Sequence, residues 1–198
     1  MTVSRNRRGG FTLLELMITI GLVSLVMFNV WMVLRESSSA YSARTVDYDA
    51  EVQAQRTLDR ISQALIGASR DTIVVPIESP LYADWLRFDV NVGFQNGEPV
   101  FGNTQEIKLE APAQEVVWLE SPGAEEERRV VWSRWVSQFL EGEVPNGVDD
   151  NMNGVVDEKG LAFDIEGDMV IIRLTIERPG PEGTTILKTL RSQVTCRN

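Results

Sequence analysis

Two groups of side chains in this 198-residue chain have types and spacing that could do chemistry. The first is a single carboxylate, Glu15, near the start of an otherwise uncharged apolar run from Phe11 to Leu34. An ionisable group at such a depth has no partner in hydrocarbon, so its presence is a functional-site expectation. The bland alternative is that Glu15 snorkels to an interface from one turn inside. The second group is the loop 146–158, N-G-V-D-D-N-M-N-G-V-V-D-E. Asp149, Asn151 and Asn153 alternate, Gly154 permits a sharp turn, Val155 offers its carbonyl, and Asp157 and Glu158 close the run. Oxygen ligands at alternate positions curl around one hard cation, and the spacing predicts a structural Ca2+ site. The competing reading is an Asx-rich turn held by side-chain to backbone hydrogen bonds.

Other chemistry is thinly supplied. The chain has no histidine, which removes Ser-His-Asp and Cys-His nucleophile pairs and the commonest zinc ligand. Cys196 is the single cysteine, so no internal disulfide or paired-thiol site can form. Its expected state is an inert thiol. Asp+Glu is 29 against Lys+Arg 19, and a net charge of -10 is a poor footing for phosphate contacts, so no nucleic acid is expected as a partner. Acid-base work by a pair such as Asp149 and Asp150 is the weak case for an enzyme, with no phosphate loop or nucleophile elbow beside it. No enzymatic activity is expected.

These residues must be positioned by three kinds of segment. Residues 1–10 form a leader carrying Arg5, Arg7 and Arg8. Residues 11–34 are the membrane-spanning expectation. The 19 uncharged residues Leu16 to Leu34 give roughly 28 Å of helix at ~1.5 Å per residue, close to a ~30 Å hydrocarbon core. The run is too long for a cleaved secretory signal, although Ser39, Ala40 and Ala43 could imitate a cleavage site. A basic flank ahead of the span keeps the N-terminus cytoplasmic. From Arg35 to Arg70 the composition turns polar, yet Ala54, Leu58, Ile61, Leu65 and Ala68 recur at spacings of three and four as one apolar stripe. With no proline before Pro76, a single helix over 11–70 is predicted. Residues 71–198 read as an extracytoplasmic β-rich head. Strands are expected at 72–75, 85–90, 106–109, 115–119, 128–135, 169–177 and 184–195. Trp85, Trp118, Trp132 and Trp135 are expected in the core. The fold class is α+β, a long helix packed on a mainly antiparallel sheet.

The start of the helix has a more specific pattern. Gly9 and Gly10 end the leader, Phe11 follows, and Glu15 is the fifth residue counted from Phe11. The run G-G-F-T-L-L-E-L resembles the class III signal of type IV prepilins and pseudopilins. The resemblance implies cleavage between Gly10 and Phe11 by prepilin peptidase, which takes ten of 198 residues and leaves 188. It also implies N-methylation of Phe11, and a role for Glu15 in meeting the Phe11 amine of a neighbouring subunit during filament assembly. Implied partners are other pilins through the N-terminal helix, the inner-membrane assembly platform and a tip adhesin. Many major pilins have proline where this chain has Met32, which favours a minor pilin. The end of the head resembles W-type minor pilins and J-type pseudopilins. A type II secretion pseudopilin and a membrane-anchored, calcium-dependent adhesin are the alternatives. The acidic loop resembles calcium loops of the EF-hand and thrombospondin-repeat type. It departs from the EF-hand at the twelfth position, where Gly160 stands, and no helix pattern flanks it.

Overall fold

The computed structural model describes residues 12–75 and 82–196. Helix α1 runs over Leu13–Ile66. Its start is set locally. Thr12 flanks the first turn, its carbonyl accepts the Leu16 N–H, and its hydroxyl accepts the Glu15 N–H at 3.3 Å. The Glu15 carboxylate reaches back to the Thr12 N–H at 3.0 Å, which completes a capping box written in the sequence as T-x-x-E. α1 is shared by two compact units that divide between Ala43 and Arg44.

In the first unit α1 is long and apolar enough to cross a membrane. The large hydrophobic side chains from Leu13 to Leu34 are all exposed, by 42% to 78%. Three polar side chains in this stretch satisfy themselves on the carbonyl one turn back: Thr19 on Glu15, Ser24 on Ile20 and Asn29 on Leu25. A helix surrounded by lipid needs that arrangement, because hydrocarbon offers no outside acceptor.

In the second unit the expected stripe is buried. Ala54, Leu58, Ile61, Leu65 and Ala68 are at most 2% exposed. They pack on two antiparallel sheets. The first sheet has the order β1 (Trp85–Gln95), β2 (Glu98–Glu110), β3 (Glu115–Glu120), β4 (Arg128–Ser133). The second has the order β5 (Leu161–Glu166), β6 (Met169–Pro179), β7 (Thr185–Thr195). Leu86, Phe88, Ile107 and Val116 of the first sheet share one core with Phe163, Val170, Ile172, Leu174 and Ile176 of the second. The α+β architecture with a long helix and antiparallel sheets is therefore the one expected.

Several boundaries differ for physical reasons. α1 closes at Ile66 rather than Arg70, because the residues that follow pair with β1. The Asn91 N–H donates to the Gly67 carbonyl, Ala68 bridges Val90, and a side chain at Gly67 would come within 3.2 Å of Val90 Cγ1. The expected strand at 72–75 is a 3-10 turn over Arg70–Thr72 followed by one bridge, Val74 to Arg87. β1 and β2 are longer than expected and join through Asn96-Gly97, both with positive φ (54° and 87°), as a tight two-residue hairpin requires. β5 has no counterpart among the expected strands. β6 is buried on both faces: Val170, Ile172, Leu174 and Ile176 on one, Ile171 and Thr175 on the other. The chain following Trp135 covers the second face, with the Ser137 N–H on the Thr175 carbonyl and the Glu141 N–H on the Thr175 hydroxyl. None of the four head tryptophans is fully buried. Trp118 and Trp132 stack at 6.0 Å on the edge of the core, Trp85 is half-buried, and Trp135 is 48% exposed.

Candidate functional site

Gly10 and Phe11, the expected processing pair, lie outside the described residues. Glu15 is in the first turn of α1. Its carboxylate Oε2 accepts both the Thr12 N–H and the Thr12 hydroxyl, the latter at 2.9 Å. The carboxylate that the sequence presents without a partner thus has a local one. Thr12 is the residue missed by sequence reasoning, although the capping-box spacing could have revealed it. These bonds hold the Glu15 side chain toward the N-terminal end of the helix, where a positive group would meet it with the first-turn dipole also favouring a carboxylate.

In the acidic loop, side-chain oxygens meet backbone N–H groups. Asp149 Oδ1 and Asn151 Oδ1 both accept the Asn153 N–H, at 3.1 and 3.0 Å. Asp149 Oδ2 accepts the Gly154 N–H at 2.8 Å, and Asn153 Oδ1 accepts the Val155 N–H. Asp157 Oδ1 accepts the N–H groups of Asn146 and Gly147 across the neck of the loop. Gly154 (φ 92°) supplies the sharp turn that its position in the sequence implied. Val155 is buried beneath the loop.

Glu158 has a different setting from the other expected ligands. It is fully buried, accepts from Arg173 Nη1 at 3.1 Å through Oε1, and accepts from Asn153 Nδ2 through Oε2. Glu143, outside the expected window, is the second organiser. It is buried and takes the Asn151 N–H on Oε1 and the Asp157 N–H on Oε2. No spacing rule marks Glu143 in the sequence. Tyr82 ties the loop to the head by donating to the Asp157 carbonyl at 2.8 Å. Burial first, and the charge of Asp84 next, hold the Tyr82 hydroxyl above the usual tyrosine range, so it stays a donor. Among the described residues no three carboxylate or thiol side chains gather as a metal-holding group. The arrangement orders an acidic loop by hydrogen bonding and by one buried ion pair.

Cys196 is 5% exposed, and burial pushes its thiol above the usual range, which is the inert state expected.

Comparison with known proteins adds one match. The prokaryotic N-terminal methylation motif matches residues 5–28, the stretch that holds the leader arginines, Gly10, Phe11 and Glu15. No curated protein and no solved structure matches the chain. The motif indicates a structural subunit processed by prepilin peptidase and assembled with other pilins. This signal, opening one long helix that continues into a head of antiparallel sheets, supports a place for the chain in the type IV pilin and pseudopilin family.

Proposed function

We propose that the chain is a minor type IV pilin, anchored in the inner membrane with its N-terminus cytoplasmic, cleaved after Gly10 and built into the filament at or near its tip to promote assembly. The observation that carries this is the methylation motif on an apolar helix whose one ionisable side chain between Phe11 and Leu34 is Glu15. The minor role is supported by Met32, where many major pilins have proline, and by the unbroken course of α1 through it. The deciding experiment is mass spectrometry of the N-terminus from native membranes. An N-methylated Phe11 start is expected, and an intact Met1 or a start near Tyr41 overturns the reading. Deletion of the chain should abolish or reduce piliation. Retained piliation with lost export of folded proteins would instead assign the secretion pseudopilin.

We further propose that the loop 146–158 takes one structural Ca2+ through Asp149, Asn151, Asn153, the Val155 carbonyl and Asp157. Its support is the ligand spacing and the meeting of the Asp149 and Asn151 oxygens at one N–H. Glu158 would join only by leaving Arg173. Calorimetric titration of the full chain in detergent with about millimolar calcium should give saturable heat and a melting temperature raised by about a few degrees. Absence of both removes the site.

A further inference from the structure

Most arginines of the head are neutralised where they stand. Arg87, Arg128, Arg129, Arg134 and Arg173 each lie within 4 Å of a carboxylate. Among the described residues Arg56, Arg60 and Arg178 do not, and neither do Arg44, Arg70 and Arg191, in a chain where acidic groups outnumber basic ones by 29 to 19. Of these, Arg56, Arg60 and Arg178 converge. Arg56 and Arg60 are four residues apart on α1, hence on one face, and Arg178 is near the end of β6. Together they line a cavity of about 360 Å³ with Trp132 and Asp49. An adjoining cavity of about 360 Å³ shares Trp132 and Arg178 and adds Trp135.

The local bonding shows that this is a prepared surface. Arg60 donates to the Trp132 carbonyl at 3.2 Å, and the Arg178 guanidinium lies 5.3 Å from the centre of the Trp135 ring. Trp135 itself is held at φ 64°, an uncommon conformation for a bulky residue, with its ring half-exposed beside the groove. Arg178 Nε is buried with no acceptor, the one such side-chain atom found among the described residues. Three guanidiniums around one space repel each other, and a buried donor without an acceptor is a rare feature that points to a missing partner.

The geometry points to a binding groove for an acidic peptide segment of a partner protein, with two side-chain carboxylates seated on the Arg56, Arg60 and Arg178 guanidiniums and the chain between them lying on Trp132 and Trp135. Guanidinium forks match carboxylates, and indole faces cover the apolar parts of an extended segment. Two cavities that share Trp132 and Arg178 suit such a segment better than one compact anion. Asp49, which lines the same cavity, disfavours the denser charge of a phosphate chain. The inference goes beyond the filament role and does not depend on it.

The test uses the full chain in detergent micelles, with hexaglutamate, hexaglutamine and tripolyphosphate as probes. Hexaglutamate should bind saturably, and hexaglutamine should not. Arg56→Gln and Arg178→Gln should each weaken hexaglutamate by about tenfold, the scale of one lost charge-assisted hydrogen bond. Asp49→Asn should tighten it, which a purely structural role for the groove would not do. Arg56 is exposed on the helix, so its variant keeps the test valid should Arg178→Gln fail to fold. No saturable hexaglutamate binding, binding indifferent to Arg56→Gln, or tighter binding of tripolyphosphate overturns the proposal.

Discussion

Glu15 and Glu158 are two carboxylates with opposite settings. Glu15 is exposed on an apolar helix, and among the described residues its carboxylate is held by Thr12, through two bonds that a neighbouring amine can replace. Glu15→Ala should therefore be processed normally yet fail to enter the filament, as read by immunoblot of sheared filaments against membranes. Normal incorporation would end the pairing idea. Glu158 is sealed in the head against Arg173, whose side chain is 15% exposed. Replacing one member of a buried pair strands the other, so Glu158→Leu should cost about 3 kcal/mol in denaturant unfolding. Adding Arg173→Met should recover much of that loss, because the stranded charge is removed. A single variant as stable as the parent would show that the pair is not what orders the loop.

At the scale of elements, α1 joins two designs in one helix. Its first half is apolar on every face, and its second half carries one apolar stripe. Ile61 is fully buried at the centre of the stripe, while Tyr48 is 67% exposed. Ile61→Ala should destabilise the head by about 3 kcal/mol, through lost burial and the cavity left behind. Tyr48→Ala should stay within about 0.5 kcal/mol. Equal effects in chemical denaturation would contradict the packing. The stripe was legible because its period is local and its spacing regular. The helix end was not, since β1 residues more than twenty positions away take up the chain from Gly67 onward. β5 escaped notice because L-A-F-D-I-E has no strict alternation, being buried over Leu161, Ala162 and Phe163 in succession. The tryptophans are less buried than their type suggests, because residue type reports average burial, whereas Trp118 and Trp132 pack against the core from its rim.

Across the whole molecule, surface charge sets a pH window for stability. The bond from Arg129 holds the Glu110 carboxyl below its ordinary value. Its contribution is therefore present above about pH 4.3, the unfolded value, and is lost as pH falls through the lower folded one. The bond to Glu51, with Asp47 beside it, holds Lys188 above its ordinary value. That contribution is complete below about pH 10.4 and is lost as pH rises through the folded value. Unfolding midpoints of the full chain should fall on both sides of a neutral plateau. Arg129→Gln should flatten the acid limb alone, and an unchanged acid limb would show that other carboxylates govern it. The groove of unpaired arginines belongs to this scale too, as a local reversal of sign on an acidic chain.

The sequence by itself determined what depends on neighbours along the chain: the leader, the class III signal, an apolar run of spanning length, the stripe of α1 and the alternation of β6. Each is a short-period pattern, and helices and strands read such patterns directly. The tertiary structure decided what depends on contacts outside any regular local period. It ended α1 at Ile66 and brought Glu143 under the acidic loop. It also set Glu158 against Arg173 and gathered Arg56, Arg60 and Arg178 around one cavity. Side chains eight to fifteen residues apart across an irregular loop, like Glu143 and Asn151 or Glu158 and Arg173, leave no periodic mark in the sequence, and neither do Arg56 and Arg178, more than a hundred residues apart.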